Sequence, residues 1–235
     1  MKKRTPIFLG IAILLIFCTA VTLNRETGTK RCVDYDCQEA KLPLYLKLLD
    51  FFDRHCNYKH LVKKIAGDSD NESERVIKIL KWTYENIKKN PKELPVVDDH
   101  VWYIIVRGYG ASDQLSDVFS TLCNYAGFDS FFNTLKNEYG AGKKCFSFVK
   151  LKRGWVIFDV YEGVYFENKQ KQLCTKEELL NGNWQAVGIG KDSVLYDYAK
   201  YFKNLGFINL RDYKLLRSAI QSPLRRLIFW TKRNK

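Results

Sequence analysis

The chain has 235 residues, of which 46% are hydrophobic and 28% charged, so it can bury a core of ordinary size, which excludes a largely disordered chain. All of the +13 net charge lies at the two ends: residues 1–31 carry six Lys or Arg and one Glu, residues 203–235 carry nine and one Asp, and residues 32–202 carry 24 of each sign. A nucleic-acid-binding domain should carry a basic face within its fold, so this distribution argues against a nucleic-acid partner and favours membrane contacts at the ends.

The N-terminal segment has the pattern of a membrane anchor. Lys2, Lys3 and Arg4 form a basic cluster, and no charged residue follows until Arg25. An apolar stretch of about 20 residues can span a bilayer, and flanking positive charge stays in the cytoplasm. Residues 1–24 therefore predict a basic cluster with a transmembrane helix, and the rest of the chain outside the cytoplasm. A cleaved signal peptide, or a lipoprotein modified at Cys18, would give the same location.

The cysteines fit an oxidising compartment, because an even number remains beyond Cys18. Two of them flank a short segment and could close a small loop, and the pairing of the others stays open. No C-x-x-C pair occurs, and histidines are few, so neither a metal nor another cofactor is predicted. The six are Cys32, Cys37, Cys56, Cys123, Cys145 and Cys174.

Three further regions follow the anchor. Residues 25–41 are polar and predict a linker, residues 42–202 predict one folded domain, and residues 203–235 form a basic amphipathic tail. The tail mixes apolar residues and Trp230 with Lys and Arg, which is typical of a segment that contacts anionic lipid. Docking of the tail on the domain is the alternative.

Helical periodicity comes first in the domain. Apolar spacing predicts helices over residues 42–55 and 73–89, the second capped by Ser73. Residues 101–106 are apolar and partly β-branched, which favours a strand. From Ser112 the pattern becomes helical again as far as Gly127.

Strand patterns follow. Residues 146–151 and 155–160 predict two strands joined by a turn at residues 152–154, and residues 164–166 could continue the sheet. Residues 195–205 look helical. Helices followed by a hairpin predict an α+β fold, with a helical N-terminal part packed on an antiparallel sheet.

Two motifs carry the main functional signal. Residues 108–114 (GYGASDQ) form a glycine turn that opens a helix, and residues 155–159 (WVIFD) form a strand that ends in an aspartate. With Trp82 on the upstream helix, they resemble the transglutaminase-like superfamily, relatives of papain-type cysteine proteases. The resemblance covers residues 58–166 and implies a papain-like fold.

The family's catalytic positions are only partly kept. Its cysteine position holds Ser112, its histidine position falls near Lys144 or Cys145, and only Asp159 is retained. A serine without a base is a weak nucleophile. The resemblance therefore implies a catalytically inactive domain that binds a cell-envelope peptide, polysaccharide or partner protein. The predicted degenerate catalytic set is Ser112, Asp159, His100 and Cys145, and the predicted ligand-binding set is Tyr109, Gly110, Asp113, Gln114 and Trp155.

Three routes to activity stay open in the sequence. Lys143 or Lys144 could serve as base to Ser112, in a serine-dependent amide or ester hydrolase or acyltransferase. His100 could do so instead, oriented by Asp98 or Asp99. Cys145 could itself react.

Overall fold

The computed structural model describes residues 5–34, 36–67, 69–98, 100–140, 142–191 and 193–207. The helices are α1 (Thr5–Asn24), α2 (Leu44–Ala66), α3 (Glu72–Asn86), α4 (Val101–Arg107), α5 (Ser112–Tyr125), α6 (Lys176–Leu180) and α7 (Ala199–Phe202). A 3-10 turn (Lys203–Phe207) follows α7. The strands are β1 (Glu26–Val33), β2 (Asp36–Pro43), β3 (Lys88–Lys89), β4 (Val97–Asp98), β5 (Tyr109–Gly110), β6 (Asp129–Lys136), β7 (Lys143–Leu151), β8 (Gly154–Asp159), β9 (Val164–Glu167) and β10 (Gln185–Gly188).

The main sheet is antiparallel, with the strand order β10-β9-β8-β7-β6. On one face, Val149 and Phe158 pack with Phe119 of α5 in a core that also includes buried residues of α2 and α3. On the other face, Phe146 packs in a second core with Tyr198 and with residues of α6 and α7. The predicted α+β architecture, helices against an antiparallel sheet, is confirmed.

Helix α5 is the central element because its apolar residues recur on one face. Leu115, Val118, Phe119 and Leu122 are all buried at this spacing. The chain leaves the helix before Gly127, whose φ of +96° is one that glycine adopts readily. The helix predicted from Ser112 and the β7–β8 hairpin are therefore confirmed.

The segment predicted as a linker is ordered as a hairpin. β1 and β2 pair along their length, from Glu26 opposite Pro43 to Val33 opposite Asp36. A disulfide joins Cys32 and Cys37 across the pair, which confirms the predicted small loop. The tip also pairs with β4, so this hairpin is attached to the domain and does not act as a free linker.

The prediction of a strand over residues 101–106 is wrong, because the segment forms α4. Val101 and Ile104, one helical turn apart, are buried, while Val106 is exposed. Gly108 ends the helix in the left-handed conformation. An apolar run this short does not distinguish a strand from a buried helix by periodicity.

Other boundaries also differ from the predictions. Helix α3 is capped by Asn71 and not by Ser73: the Asn71 side chain accepts a hydrogen bond from the Glu74 N–H at 3.2 Å. Of residues 195–205, only α7 and the following 3-10 turn are helical. Strands β6 and β10 and helix α6 were not predicted.

Helix α1 presents apolar side chains to the outside, including Phe8, Leu14, Phe17 and Val21. Among the described residues, none of the helices combines the length and the hydropathy that a membrane crossing requires. The predicted basic cluster at residues 2–4 and the tail beyond residue 207 lie outside the described residues.

Candidate functional site

The turn before α5 is fixed by backbone contacts on both sides. Gly108 has a φ of +76°, which a residue without Cβ adopts at little cost. Tyr109 and Gly110 then form β5, which pairs in parallel with β3. The Asn90 N–H donates to the Gly110 carbonyl at 2.9 Å. As a result, Ser112 is held at the first turn of α5, next to β3.

Gln114 closes this turn from inside the fold. Its Oε1 accepts a hydrogen bond from the Ala111 N–H at 3.1 Å, and its Nε2 donates to the Val97 carbonyl at 2.6 Å. A Cβ on Gly110 would lie 3.0 Å from Oε1 of Gln114, so the turn packs tightly on the amide. Both polar ends of a residue predicted to bind ligand are thus used to position the turn.

Ser112, predicted to take the position of the family's nucleophile, is half-buried. Its carbonyl accepts a hydrogen bond from the Ser116 hydroxyl at 2.9 Å. No hydrogen bond to its own hydroxyl is formed among the described residues. The neighbouring Asp113 is exposed, and its Oδ1 accepts from the Gln114 N–H at 3.0 Å. This carboxylate lies at the N-terminus of α5, where the helix dipole favours negative charge.

Asp159, the retained position, is fully buried at the end of β8. Its Oδ2 lies 3.0 Å from the Lys144 ammonium nitrogen and accepts a hydrogen bond from the Tyr198 hydroxyl at 2.9 Å. Burial raises the pKa of Asp159 above its ordinary value, and the charge of Lys144 opposes that rise. Lys144, one of the two residues near the predicted histidine position, thus stands beside the aspartate.

The pair belongs to a larger network of buried charges. Glu162 is only 3% exposed, and its Oε2 accepts a hydrogen bond from Lys89 at 2.7 Å, while its Oε1 lies 3.8 Å from the Lys144 nitrogen. The same nitrogen lies 3.8 Å from the centre of the Tyr196 ring, within the range of a cation–π contact. Two lysines therefore neutralise two carboxylates, with Tyr196 against one ammonium.

Cys145 points away from this network, because neighbouring residues of a strand face opposite sides of the sheet. Its thiol is buried against Ser116 of α5, and burial raises its pKa to about 11. A thiol with such a pKa is almost entirely protonated near neutral pH, so it is a poor nucleophile. The two residues near the predicted histidine position thus lie on opposite faces of β7: Cys145 contacts α5, and Lys144 contacts Asp159.

His100 lies at the N-terminal end of α4, where it is exposed, and its ring centre is 6.0 Å from that of Tyr103. The side chains of Asp98 and Asp99, predicted to orient it, lie outside the described residues. Among the described residues, no group of three or more His, Cys, Asp or Glu side chains could hold a metal ion.

The predicted aromatic residues take separate positions. Tyr109 is half-buried beneath the Arg107 guanidinium, whose carbon is 5.2 Å from the ring centre. Trp155 packs edge-on against Phe131, with ring centres 5.4 Å apart. It lies four residues before Asp159, about 13 Å along β8. The structure therefore brings Tyr109 to the turn and Trp155 to the far end of the hairpin.

Four residues of the network were not predicted as site residues: Lys89, Glu162, Tyr196 and Tyr198. Glu162 follows Asp159 by three residues, and its backbone N–H donates to Oδ1 of Asp159 at 3.3 Å. That spacing was the only signal in the sequence. Tyr198 lies far along the chain, and no motif marks it.

Helix α5 packs on the antiparallel sheet, as expected for a papain-like fold. The model of the transglutaminase-like superfamily matches residues 59–160, and this part of the chain is a transglutaminase-like domain. Among curated proteins, no relative matches the sequence.

Two solved structures are similar to the chain. One is a proposed cysteine protease from Cytophaga hutchinsonii, with 13% identity and a TM-score of 0.39, over 62% of this chain and 56% of that one. The other is a transglutaminase, with 11% identity and a TM-score of 0.37, over 62% of this chain and 46% of that one. The chain thus aligns with about half of the length of each.

Proposed function

We propose that this protein is a membrane-attached, extracytoplasmic transglutaminase-like domain that has no acyl-transfer activity and binds a cell-envelope peptide, polysaccharide or partner protein. The observation that carries this proposal is the pairing at Asp159. Its Oδ2 is occupied by Lys144 and Tyr198, whereas the Ser112 hydroxyl has no base among the described residues. This arrangement supports the proposal that the domain has no acyl-transfer activity.

Lysine does not replace the missing histidine as a base. A general base must lie within hydrogen-bond reach of the proton that it accepts. Lys144 lies 3.0 Å from Oδ2 of Asp159 and 3.8 Å from Oε1 of Glu162, and no hydrogen bond joins it to Ser112 in the described part of the chain. This argues against a serine–lysine mechanism at Ser112.

Attachment to the cytoplasmic membrane is proposed through α1. Its apolar side chains are exposed along the helix. The hydroxyls of Thr19 and Thr22 donate to the Leu15 and Cys18 carbonyls at 2.8 and 2.7 Å, so these polar groups are satisfied within the helix. Such internal bonding is what an apolar surrounding demands.

The location outside the cytoplasm has two supports. The basic cluster of residues 2–4 precedes the apolar segment, and such clusters remain on the cytoplasmic side. The disulfide between Cys32 and Cys37 is of a kind that persists in oxidising compartments.

The binding role is assigned to the surface around the turn before α5. Arg107 lies over Tyr109, and Lys89 lies over Tyr161 with its nitrogen 4.5 Å from the ring centre. Because Lys89 pairs with Gly110 across β3 and β5, both cation–aromatic pairs border the same turn. Aromatic rings beside fixed cations suit sugar rings and acidic peptide segments.

The absence of catalysis is tested with a fluorophosphonate probe, which reacts covalently with activated serines. The full chain in detergent should not be labelled at Ser112, and Ser112→Ala should give the same background. Labelling that disappears in Ser112→Ala would overturn the proposal and favour a serine hydrolase.

Binding is tested by cosedimentation with insoluble peptidoglycan and by titration with soluble polysaccharides and acidic peptides. Tyr109→Ala should weaken any binding severalfold, and Leu180→Ala, at an exposed position of α6, should leave it unchanged. Equal binding by both variants would show that the turn is not the binding surface.

A further inference from the structure

The first half of α2 has an exposed apolar face that the core does not use. Tyr45, Leu48, Leu49 and Phe52 are all exposed, and they recur at positions i, i+3, i+4 and i+7, which lie on one side of a helix. Leu49 is 62% exposed and Phe52 is 52% exposed. A helix on the surface of a soluble domain normally keeps this face polar.

Farther along the same helix, another set of side chains packs on the domain. Arg54, Tyr58, Val62 and Ala66 are buried there. The apolar stripe on the first half of α2 is thus additional to the core-facing side, so burial in the domain does not explain it.

The stripe lies directly beside α1. The Leu44 N–H, at the start of α2, donates to the Arg25 carbonyl at 2.9 Å, just after the end of α1. The two helices contact each other near this junction. Phe52 lies eight residues into α2, about 12 Å from its start. The exposed apolar stripe of α2 thus begins at the junction with α1, whose apolar side chains are also exposed.

The same side of α2 becomes basic farther from α1. Lys59 and Lys63 are exposed and continue the line of Phe52 and Cys56 at spacings of three and four residues. An apolar stripe followed by lysines complements a bilayer surface with anionic headgroups, where the apolar residues enter the acyl boundary and the lysines meet phosphate.

We infer that the first half of α2 lies on the surface of the bilayer as a second membrane contact, with the stripe of Tyr45, Leu48, Leu49 and Phe52 inserted at the headgroup level. This inference rests on the proposed attachment through α1. It adds that the domain is held against the membrane by two elements.

Cys56 provides a site for the test, because it is exposed and continues the stripe by one turn. Of the remaining cysteines, Cys32 and Cys37 are bonded to each other, and Cys123, Cys145 and Cys174 are buried. A full-length Cys18→Ser variant therefore keeps one exposed free thiol. This thiol carries a nitroxide label, and the protein is reconstituted into vesicles of phosphatidylcholine with phosphatidylglycerol.

Two measurements are made on the same sample: flotation with the vesicles, and the accessibility of the label to oxygen and to a water-soluble nickel complex. We expect the protein to float with the vesicles. The ratio of oxygen to nickel accessibility should rise severalfold over its value in the protein without vesicles. Leu49→Glu and, independently, Phe52→Gln should return the ratio to its aqueous value. Leu180→Glu, at a position 45% exposed on α6, should not change it.

The outcomes separate the two proposals. A protein that floats with an aqueous label would overturn the α2 contact and leave attachment through α1 intact. A protein that does not float would overturn both. A label shielded from oxygen and nickel alike would show that a protein surface, and not lipid, covers the stripe, and would also overturn the inference.

Discussion

The Lys144 ammonium lies 3.0 Å from Oδ2 of Asp159, on the face of β7 opposite to the one that carries Cys145. The two groups form a buried ion pair, because Asp159 is fully buried and Lys144 nearly so. This contact holds the buried carboxylate in place, and removing either partner alone would leave the other uncompensated.

Removing the lysine should destabilise the domain. Lys144→Met leaves the buried carboxylate of Asp159 without its main counter-charge, and we expect a loss of about 3 kcal/mol at neutral pH. Urea unfolding followed by circular dichroism measures this loss. Lys143→Met, at the exposed neighbouring position, is the matched control and should change stability by less than about 0.5 kcal/mol. Equal effects of the two substitutions would contradict the buried ion pair.

The same pair predicts a dependence on pH. The pKa of Asp159 is raised above 3.8 in the folded state, mainly by burial, so the folded state binds its proton more tightly than the unfolded state. The stability that this proton contributes is fully present below the pKa of Asp159 in the unfolded state, and it is lost as pH rises through the pKa in the folded state.

In Lys144→Met the opposing charge is gone, so the pKa of Asp159 rises further. The destabilisation by Lys144→Met should therefore shrink as pH falls from about 7 towards about 4. Unfolding curves over this range check the slope. In an Asp159→Asn background, where the side chain cannot titrate, adding Lys144→Met should show no such slope, and a persisting slope would assign it to another group.

Restoring only the family's nucleophile should not restore its chemistry. Ser112→Cys places a thiol at the first turn of α5, where the helix dipole favours thiolate, but no described base contacts position 112. We expect the thiol to react with iodoacetamide, without turnover of amide or ester substrates. Thiol-dependent amidase activity in this single variant would show that a base does reach the site.

Replacing Gln114 should lower the stability of the domain more than replacing Asp113 does. Gln114→Ala removes the hydrogen bonds to Ala111 and Val97 and leaves the Ala111 N–H unpaired, while the Val97 carbonyl keeps its hydrogen bond from Arg107 at 3.2 Å; the loss should cost about 2 kcal/mol. Asp113→Ala loses an exposed first-turn charge, and should cost less than about 1 kcal/mol. Thermal unfolding of the two variants distinguishes these values, and the reverse order would contradict a structural role for Gln114.

The disulfide should stabilise the N-terminal hairpin. Cys32 and Cys37 are separated by 5 residues, and closing so short a loop contributes about 2 kcal/mol in the chain-entropy description. Cys32→Ser with Cys37→Ser should lower the unfolding free energy by about this amount. Alkylation followed by mass spectrometry of protein from the native membrane should leave both cysteines unmodified before reduction. Alkylation of both without reductant would contradict the extracytoplasmic location.

Strong local patterns predicted much of the fold. Helix α5 and the β7–β8 hairpin follow from apolar periodicity with a glycine or a tight turn at the ends. Helix α4 was not predicted because the apolar run of residues 101–106 is too short for its periodicity to distinguish a helix from a strand. Strand β6 was missed because its burial follows no strict alternation.

The candidate site was only half predictable for a different reason. Ser112 and Asp159 sit in local motifs that the sequence displays. The partners of Asp159 depend on which face of β7 carries Lys144 and on where Tyr198 returns in space. Neither is a local property, because a shift of one residue along a strand moves a side chain to the other face of the sheet.

The buried position of Tyr198 places the end of the folded domain beyond the residues that match the family. The family match stops at Val160, one residue past Asp159, yet Tyr198, Phe202 and Leu205 are all buried in the core on that side of the sheet. A fragment cut at the family boundary would expose Phe146 and Ile157 to water and remove a hydrogen bond from a buried carboxylate. The smallest autonomous unit therefore extends well past the residues that match the family, and expression of a trimmed fragment should yield insoluble protein.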